Sequence, residues 1–190
     1  MVRLETSAHD VVAELQRRLG SDLAKMKLQK LLYYCQGWSL AWQGVPMFHE
    51  PIEAWTDGPV VPDVWRSQKP DAPPVPPTRP VRSADLATID YVIERYGHLS
   101  GSALSAMTHA ESPWRDAMAR PTLGIELDGG SPVIGRESLR EWFLADRALN
   151  ARNDQVAALR ARRNLLDGPA KTAELRTAID KACQDAAAAC

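Results

Sequence analysis

Acid–base or metal chemistry in this chain would have to come from four histidines, His9, His49, His98 and His109, and from the carboxylates Glu50, Glu53 and Asp57. A helical zinc site needs paired ligands one turn apart, because only side chains at i and i+4 converge on one ion. No two histidines stand at that spacing, and the three cysteines, Cys35, Cys183 and Cys190, form no CxxC pair. No metal and no cofactor is expected. A glycosidase-type carboxylate pair works only in a cleft that raises one of the two acids, so these carboxylates read as solvated or interhelical partners. Ser112 precedes Pro113 and has no GxSxG elbow around it, which suits a helix cap better than a nucleophile. Gly124, Gly129, Gly130 and Gly135 match neither the Walker phosphate loop nor GxGxxG, so they read as turn residues. No catalytic residue is assigned.

Recognition has better material. The chain holds six tryptophans against two phenylalanines. Tryptophan is seldom fully buried and is over-represented at binding hot spots, which predicts an aromatic-lined groove between the second helix and the Gly58-Pro59-Val60-Val61-Pro62 corner. Tyr33, Tyr34, Trp38, Trp55 and Trp65 are the candidate partner-binding anchors, with Arg66 and Arg115 as polar partners. Core packing is the competing reading for each aromatic, since a helical aromatic stripe usually packs inward. His109 is expected to cap or hydrogen-bond between helices.

These side chains must be positioned by helices. Leu28, Leu31, Leu32, Cys35, Trp38 and Trp42 fall on one stripe of a long amphipathic helix, capped by Ser21 or Asp22 and ended by Gly44 and Pro46. A shorter helix precedes it, from just after Ser7 to Leu19, stopping at Gly20. Ile52 to Trp55 reads as a brief strand, Asp57-Gly58-Pro59 as a turn, and Pro62 as the start of another helix. Six prolines between Pro70 and Pro80 exclude helix and central strand, leaving a stiff exposed loop. It reads as a connection first and as a ligand for aromatic-lined grooves second. Further helices follow, capped by Ser83, started at Ser100 and started at Pro113, and Gly124 to Gly135 reads as a hairpin. Leu139, Trp142 and Phe143 begin a last core helix. The resulting fold class is mainly α, a compact multi-helix domain over residues 1–149 with a small β element. Residues 150–190, without an aromatic, form a C-terminal helical appendage whose narrow seam of Val156, Leu159, Leu166, Leu175 and Ile179 would dock on the core, a second copy or a partner.

The chain is 190 residues long, 45% hydrophobic and 25% charged, with a formal net charge of −1. That balance is globular and supplies no general polyanion surface. Arg3, Arg17, Arg18, Lys25, Lys27 and Lys30 make the first helical pair basic, read as a solvated face. A recognition helix for DNA needs an exposed polar side, which a helix crowded with Tyr33, Tyr34, Trp38 and Trp42 lacks, so nucleic acid is the lesser partner. No membrane span or signal segment is evident and the cysteines fit a reducing compartment, so a cytoplasmic protein is expected.

Lys27–Trp38 (KLQKLLYYCQGW), Glu50–Trp55 (EPIEAW), Asp57–Trp65 (DGPVVPDVW) and Leu104–Ala117 (LSAMTHAESPWRDA) occur in that order. Together they resemble the Panacea domain of SocA-like antitoxins, a phage-associated family, across roughly residues 22–145. An ordered set of motifs is far more specific than any one of them. The resemblance implies a non-enzymatic antitoxin that neutralises a cognate toxin by direct binding, the toxin being encoded in an adjacent gene. The second reading it suggests is an adaptor that delivers the toxin to an ATP-dependent protease, and a dimer that represses its own operon is the lesser one. It does not extend to residues 150–190.

Overall fold

In a computed structural model of the chain, residues 6–120, 131–148, 181 and 184 are described. The element order is α1 (Ala8–Leu19), α2 (Lys25–Gln43), β1 (Glu53–Trp55), β2 (Gly58–Val60), α3 (Pro62–Ser67), α4 (Ser83–Tyr96), α5 (Gly101–Ala110) and α6 (Ser112–Met118). A further helix, α7, runs over 136–148. The class is mainly α, as expected, with one small antiparallel hairpin.

Helix α2 is the centre, and it departs from the one-sided stripe expected of it. Every residue from Leu28 to Ala41 is buried, polar ones included. An apolar face alone would not explain that. The polar side chains instead satisfy irregular backbone, which has no ladder of its own and must find partners once buried. Gln29 accepts from the Val61 amide at 2.8 Å. Gln36 accepts from the amides of Met47 and Phe48 at 2.8 and 3.3 Å and donates to the Phe48 carbonyl at 3.0 Å. Ser39 donates to the Val45 carbonyl at 2.9 Å. Lys30, expected on a solvated basic face, is buried and donates to the Pro59 carbonyl.

Gly37 lets α7 close on this helix. A Cβ at Gly37 would lie 2.2 Å from the Phe143 ring, which is itself packed edge-on against Tyr33, Tyr34 and Trp38. Gly37→Ala is therefore expected to destabilise by about 1–3 kcal/mol through overpacking, although alanine is the better helix former by roughly 1 kcal/mol. A denaturant midpoint that rises in this variant would show that the ring has room to move.

The ends of the elements divide into expected and unexpected. Ser7 and Asp10 form a reciprocal capping box on α1, and Gly20 and Gly44 end α1 and α2 with φ of 103° and 70°. Ser100 caps α5 by accepting from the Ala103 amide at 3.1 Å. The N-cap of α2 is Ala24, without a side-chain bond, because Ser21 and Asp22 lie too far upstream and bond each other at 3.3 Å. Ser83 and Ser112 are first helical residues, the cap positions being Arg82 and Glu111. Asp57-Gly58-Pro59 is not the turn either. The chain reverses at Thr56-Asp57, and Gly58–Val60 returns as β2, in register Glu53↔Val60, Ala54↔Pro59 and Trp55↔Gly58.

Residues 131–135 run along the other side of β1, with the Ala54 amide donating to Pro132 and the Ile134 amide to Ile52, both at 2.8 Å. The rest of the hairpin expected over Gly124–Gly135 falls on 121–130, outside the described residues. The proline-rich loop is exposed from Pro73 to Pro80, yet it is pinned. Asp10 accepts from the amides of Thr78 and Arg79 at 2.6 and 3.1 Å. Burial alone would raise this carboxyl, but those bonds and the Ser7 bonds outweigh it and hold the pKa below the ordinary value.

The chain divides into two units, Met1–Phe143 and Leu144–Cys190. In the second, residues 144–148 continue α7, and Lys181 and Gln184 are helical and exposed. The rest of the appendage expected over 150–190 lies outside the described residues.

Candidate functional site

Three of the seven sequence-predicted contact residues are not at the surface. Tyr33, Tyr34 and Trp38 are at most 1% exposed, so a folded domain cannot offer them to a partner. They form a buried network whose key member, Glu111, was not anticipated. Tyr33 and Tyr34 donate to the two Glu111 carboxylate oxygens at 2.6 and 3.0 Å. Tyr34 stacks on Tyr96 with ring centroids 3.9 Å apart, and the Trp38 indole donates to the Tyr96 hydroxyl at 3.2 Å. Burial first, then the Glu111 charge and its bond, push the Tyr33 hydroxyl well above the ordinary tyrosine range and keep it a donor. Glu111 occupies the cap position of α6 without capping it, and its only trace in the sequence is an acid wedged between two helix signals.

The remaining four residues stay at the surface. Trp55 ends β1 and Trp65 lies on α3, both half-buried, with ring centroids 5.8 Å apart and inclined at 68°. The Trp55 indole donates to Glu53 at 2.8 Å. Trp114, which sequence reasoning left out of the site, donates its indole N–H to the Trp55 carbonyl at 3.0 Å. His109 stacks on Trp114 at 4.2 Å rather than bonding between helices, and its buried Nε2 has no hydrogen-bond partner among the described residues. Trp65, Trp55, Trp114 and His109 thus make one continuous half-buried row across β1, α3, α5 and α6. Arg66 and Arg115 are exposed, each next in sequence to a tryptophan of that row, and neither forms an ion pair among the described residues. Tryptophan and arginine are among the residue types enriched at protein-binding hot spots.

Trp42, placed by its spacing on the buried stripe, is 37% exposed. It packs against Trp38 and Tyr91 with centroids 5.0 and 4.7 Å away, because the helix emerges from its neighbours in its last turn.

A cleft of about 450 Å³ between α1 and the proline-rich loop is lined by Asp10, Glu14 and Arg17 among others. Its acids are already engaged: Asp10 holds the loop amides, and Glu14 is bound by Arg17 and Arg18, which lower its pKa to about 2. Burial pushes the Cys35 thiol far up, so it is a packed, unreactive group. Among the described residues no group of three or more His, Cys, Asp or Glu could hold a metal ion. No helix among them is long and apolar enough to cross a membrane. With α2 buried from Leu28 to Ala41, that helix cannot enter a DNA groove, since recognition requires an exposed face.

Residues 28–115 match the family model described as antitoxin SocA-like, Panacea domain. That span contains all but the first turn of α2, the hairpin, α3 and the row of Trp55, Trp65, His109 and Trp114. Antitoxin SocA of Caulobacter vibrioides (strain NA1000 / CB15N) is 32% identical over 113 aligned positions, which cover 50% of this chain and 60% of that protein. The chain therefore matches less than two thirds of that relative's length. No solved structure matches.

Proposed function

From residues 28–115 as a Panacea domain of the antitoxin SocA-like family, we propose that the chain is the antitoxin of a toxin–antitoxin pair and neutralises a cognate toxin by direct binding. The observation that carries the binding mode is the half-buried row Trp65, Trp55, Trp114 and His109, two of whose tryptophans are followed in sequence by the exposed Arg66 and Arg115. Folding has left these large side chains partly uncovered while using Tyr33, Tyr34 and Trp38 for the core. A stable interface buries about 1,600 Å² and draws most of its energy from a few aromatic and arginine anchors at its centre. Masking of the toxin requires no chemistry from the antitoxin.

The experiment is co-expression with the products of neighbouring reading frames. One of them is expected to be lethal alone, harmless with this chain, and recovered bound to it. Rescue that persists in cells lacking the ATP-dependent protease supports masking, whereas rescue that vanishes there shows delivery for degradation. If no neighbouring product is neutralised despite soluble expression of this chain, the antitoxin reading fails.

Within the pair, Trp65→Ala is expected to weaken toxin binding by about 10- to 100-fold while leaving the thermal melt close to wild type, because Trp65 is half-buried on a short surface helix. Arg115→Ala should weaken it less. A Trp65 variant that unfolds, or that binds normally, removes this corner as the docking site.

A further inference from the structure

The hairpin that carries Trp55 rests on a lysine with no carboxylate in contact. Lys30 is 1% exposed. Its Nζ donates to the Pro59 carbonyl at 3.2 Å and forms no ion pair among the described residues. Gly58 makes room for it. A Cβ there would lie 2.8 Å from Lys30 Cε and Nζ and 3.0 Å from Thr108 Oγ1, at a φ of 103° that disfavours any side chain. Gly58 is the register partner of Trp55. A buried cation, a glycine that gives way to it and a surface tryptophan opposite that glycine therefore form one stack.

Such a cation is an expense in the free protein. An ammonium taken from water and given a single carbonyl loses more hydration than it recovers, and an unbranched apolar chain of similar length would fill the same space without that loss. Other polar groups are also incompletely satisfied: among the described residues Gln29 Nε2 and His109 Nε2 are buried without hydrogen-bond partners, one next to Lys30 on α2 and one on the ring stacked on Trp114. Local rules broken together at a stability cost are characteristic of functional sites.

Building on the toxin-docking role of the corner, we propose that Lys30 is a positioning residue: through the Pro59 carbonyl it holds β2, and with it Trp55, in the orientation that receives the toxin. The charge is supplied from behind the surface and never touches the partner. The titratable groups around this stack are Asp57 at the hairpin turn, Glu53 on β1, and His109 and Glu111 at the end of α5. Burial lowers the Lys30 pKa to about 8, with Asp57 opposing the shift. Because the unfolded lysine keeps its ordinary value of 10.5, the unfolded chain binds the extra proton between those two values. This group's contribution to stability is thus smallest below about pH 8 and grows as pH rises towards the unfolded value.

The test uses the indole N–H resonances of Trp55 and Trp114, which report the Glu53 and Trp55 carbonyl bonds directly. In the wild type both are expected to titrate with a midpoint near 8. In Lys30→Met they should be displaced and cease to titrate there, the melting temperature should be equal or higher, and toxin affinity should fall by about tenfold or more. Indole signals that keep their wild-type positions in Lys30→Met, or a Lys30→Met protein that melts several degrees lower, overturn the proposal. So does full toxin affinity in Lys30→Met. The resonance and melting measurements need no toxin, so failure of the antitoxin reading would be seen separately, as absence of rescue by the wild type.

Discussion

Glu111→Ala is expected to lower stability by about 2–5 kcal/mol, because it removes the acceptor of two buried hydrogen bonds to a charged group and leaves the Tyr33 hydroxyl without one. Tyr33 has no exposed surface, so water cannot take the place of the carboxylate. The loss also unties α2 from the α5–α6 junction, since Glu111 sits between those two helices. Glu111→Gln keeps an acceptor oxygen and should cost appreciably less. Urea denaturation of the two variants separates these effects. A change below about 1 kcal/mol for alanine would mean that the tyrosine hydroxyls had found other partners.

Trp38→Ala should be of similar size, about 3–5 kcal/mol, the usual range for a large buried aromatic cut back to a methyl group. Trp38 is 1% exposed. Its ring touches Trp42, Tyr91 and Phe143, and its indole holds the Tyr96 hydroxyl, so the void would have four aromatic walls and little means of collapse. Trp42→Ala, one turn further along the same helix, is the internal control. With Trp42 37% exposed, truncation there should cost about 1–2 kcal/mol. Thermal melts of the pair decide the matter, and equal losses would show that exposure is a poor guide to which tryptophan carries the core. Against a total stability of about 5–15 kcal/mol for a domain of this kind, the larger loss would populate the unfolded chain measurably.

What could be seen in the sequence was mostly the punctuation of the fold. Ser7 with Asp10, Gly20, Gly44, Ser100 and the proline-opened α3 are local signals. Each works through one or two backbone groups of its own neighbourhood, so no distant residue is needed to interpret it. Helix α2 shows where that stops. Gln29, Lys30, Gln36 and Ser39 have the polarity of a solvent face, and only their remote partners Val61, Pro59, Phe48 and Val45 make them buried. The same non-local reason hid Glu111, whose partners lie 77 and 78 residues away. It also misplaced the aromatic anchors. Spacing shows that Tyr33, Tyr34 and Trp38 share a helix with Trp42, but not that the chain covers the first three on every side. Trp55 and Trp65 stay half-buried although Gly58 to Pro62 between them, which carry the turn and proline signals, are buried, and Trp114 joins them only through a bond to a carbonyl.

All-round burial of α2 also bears on how the chain is made. Its cover comes from both directions, from α1 before it and from the hairpin, α4, α5 and Phe143 after it. About 100 residues separate its end from Phe143, so on a ribosome elongating at roughly 5–20 residues per second the helix emerges some 5–20 s before its last wall. During that interval Leu28, Leu31, Leu32 and Trp38 have no complete set of partners. The order of synthesis thus leaves the central helix of the domain waiting for its cover, the condition under which partly folded chains are prone to aggregate.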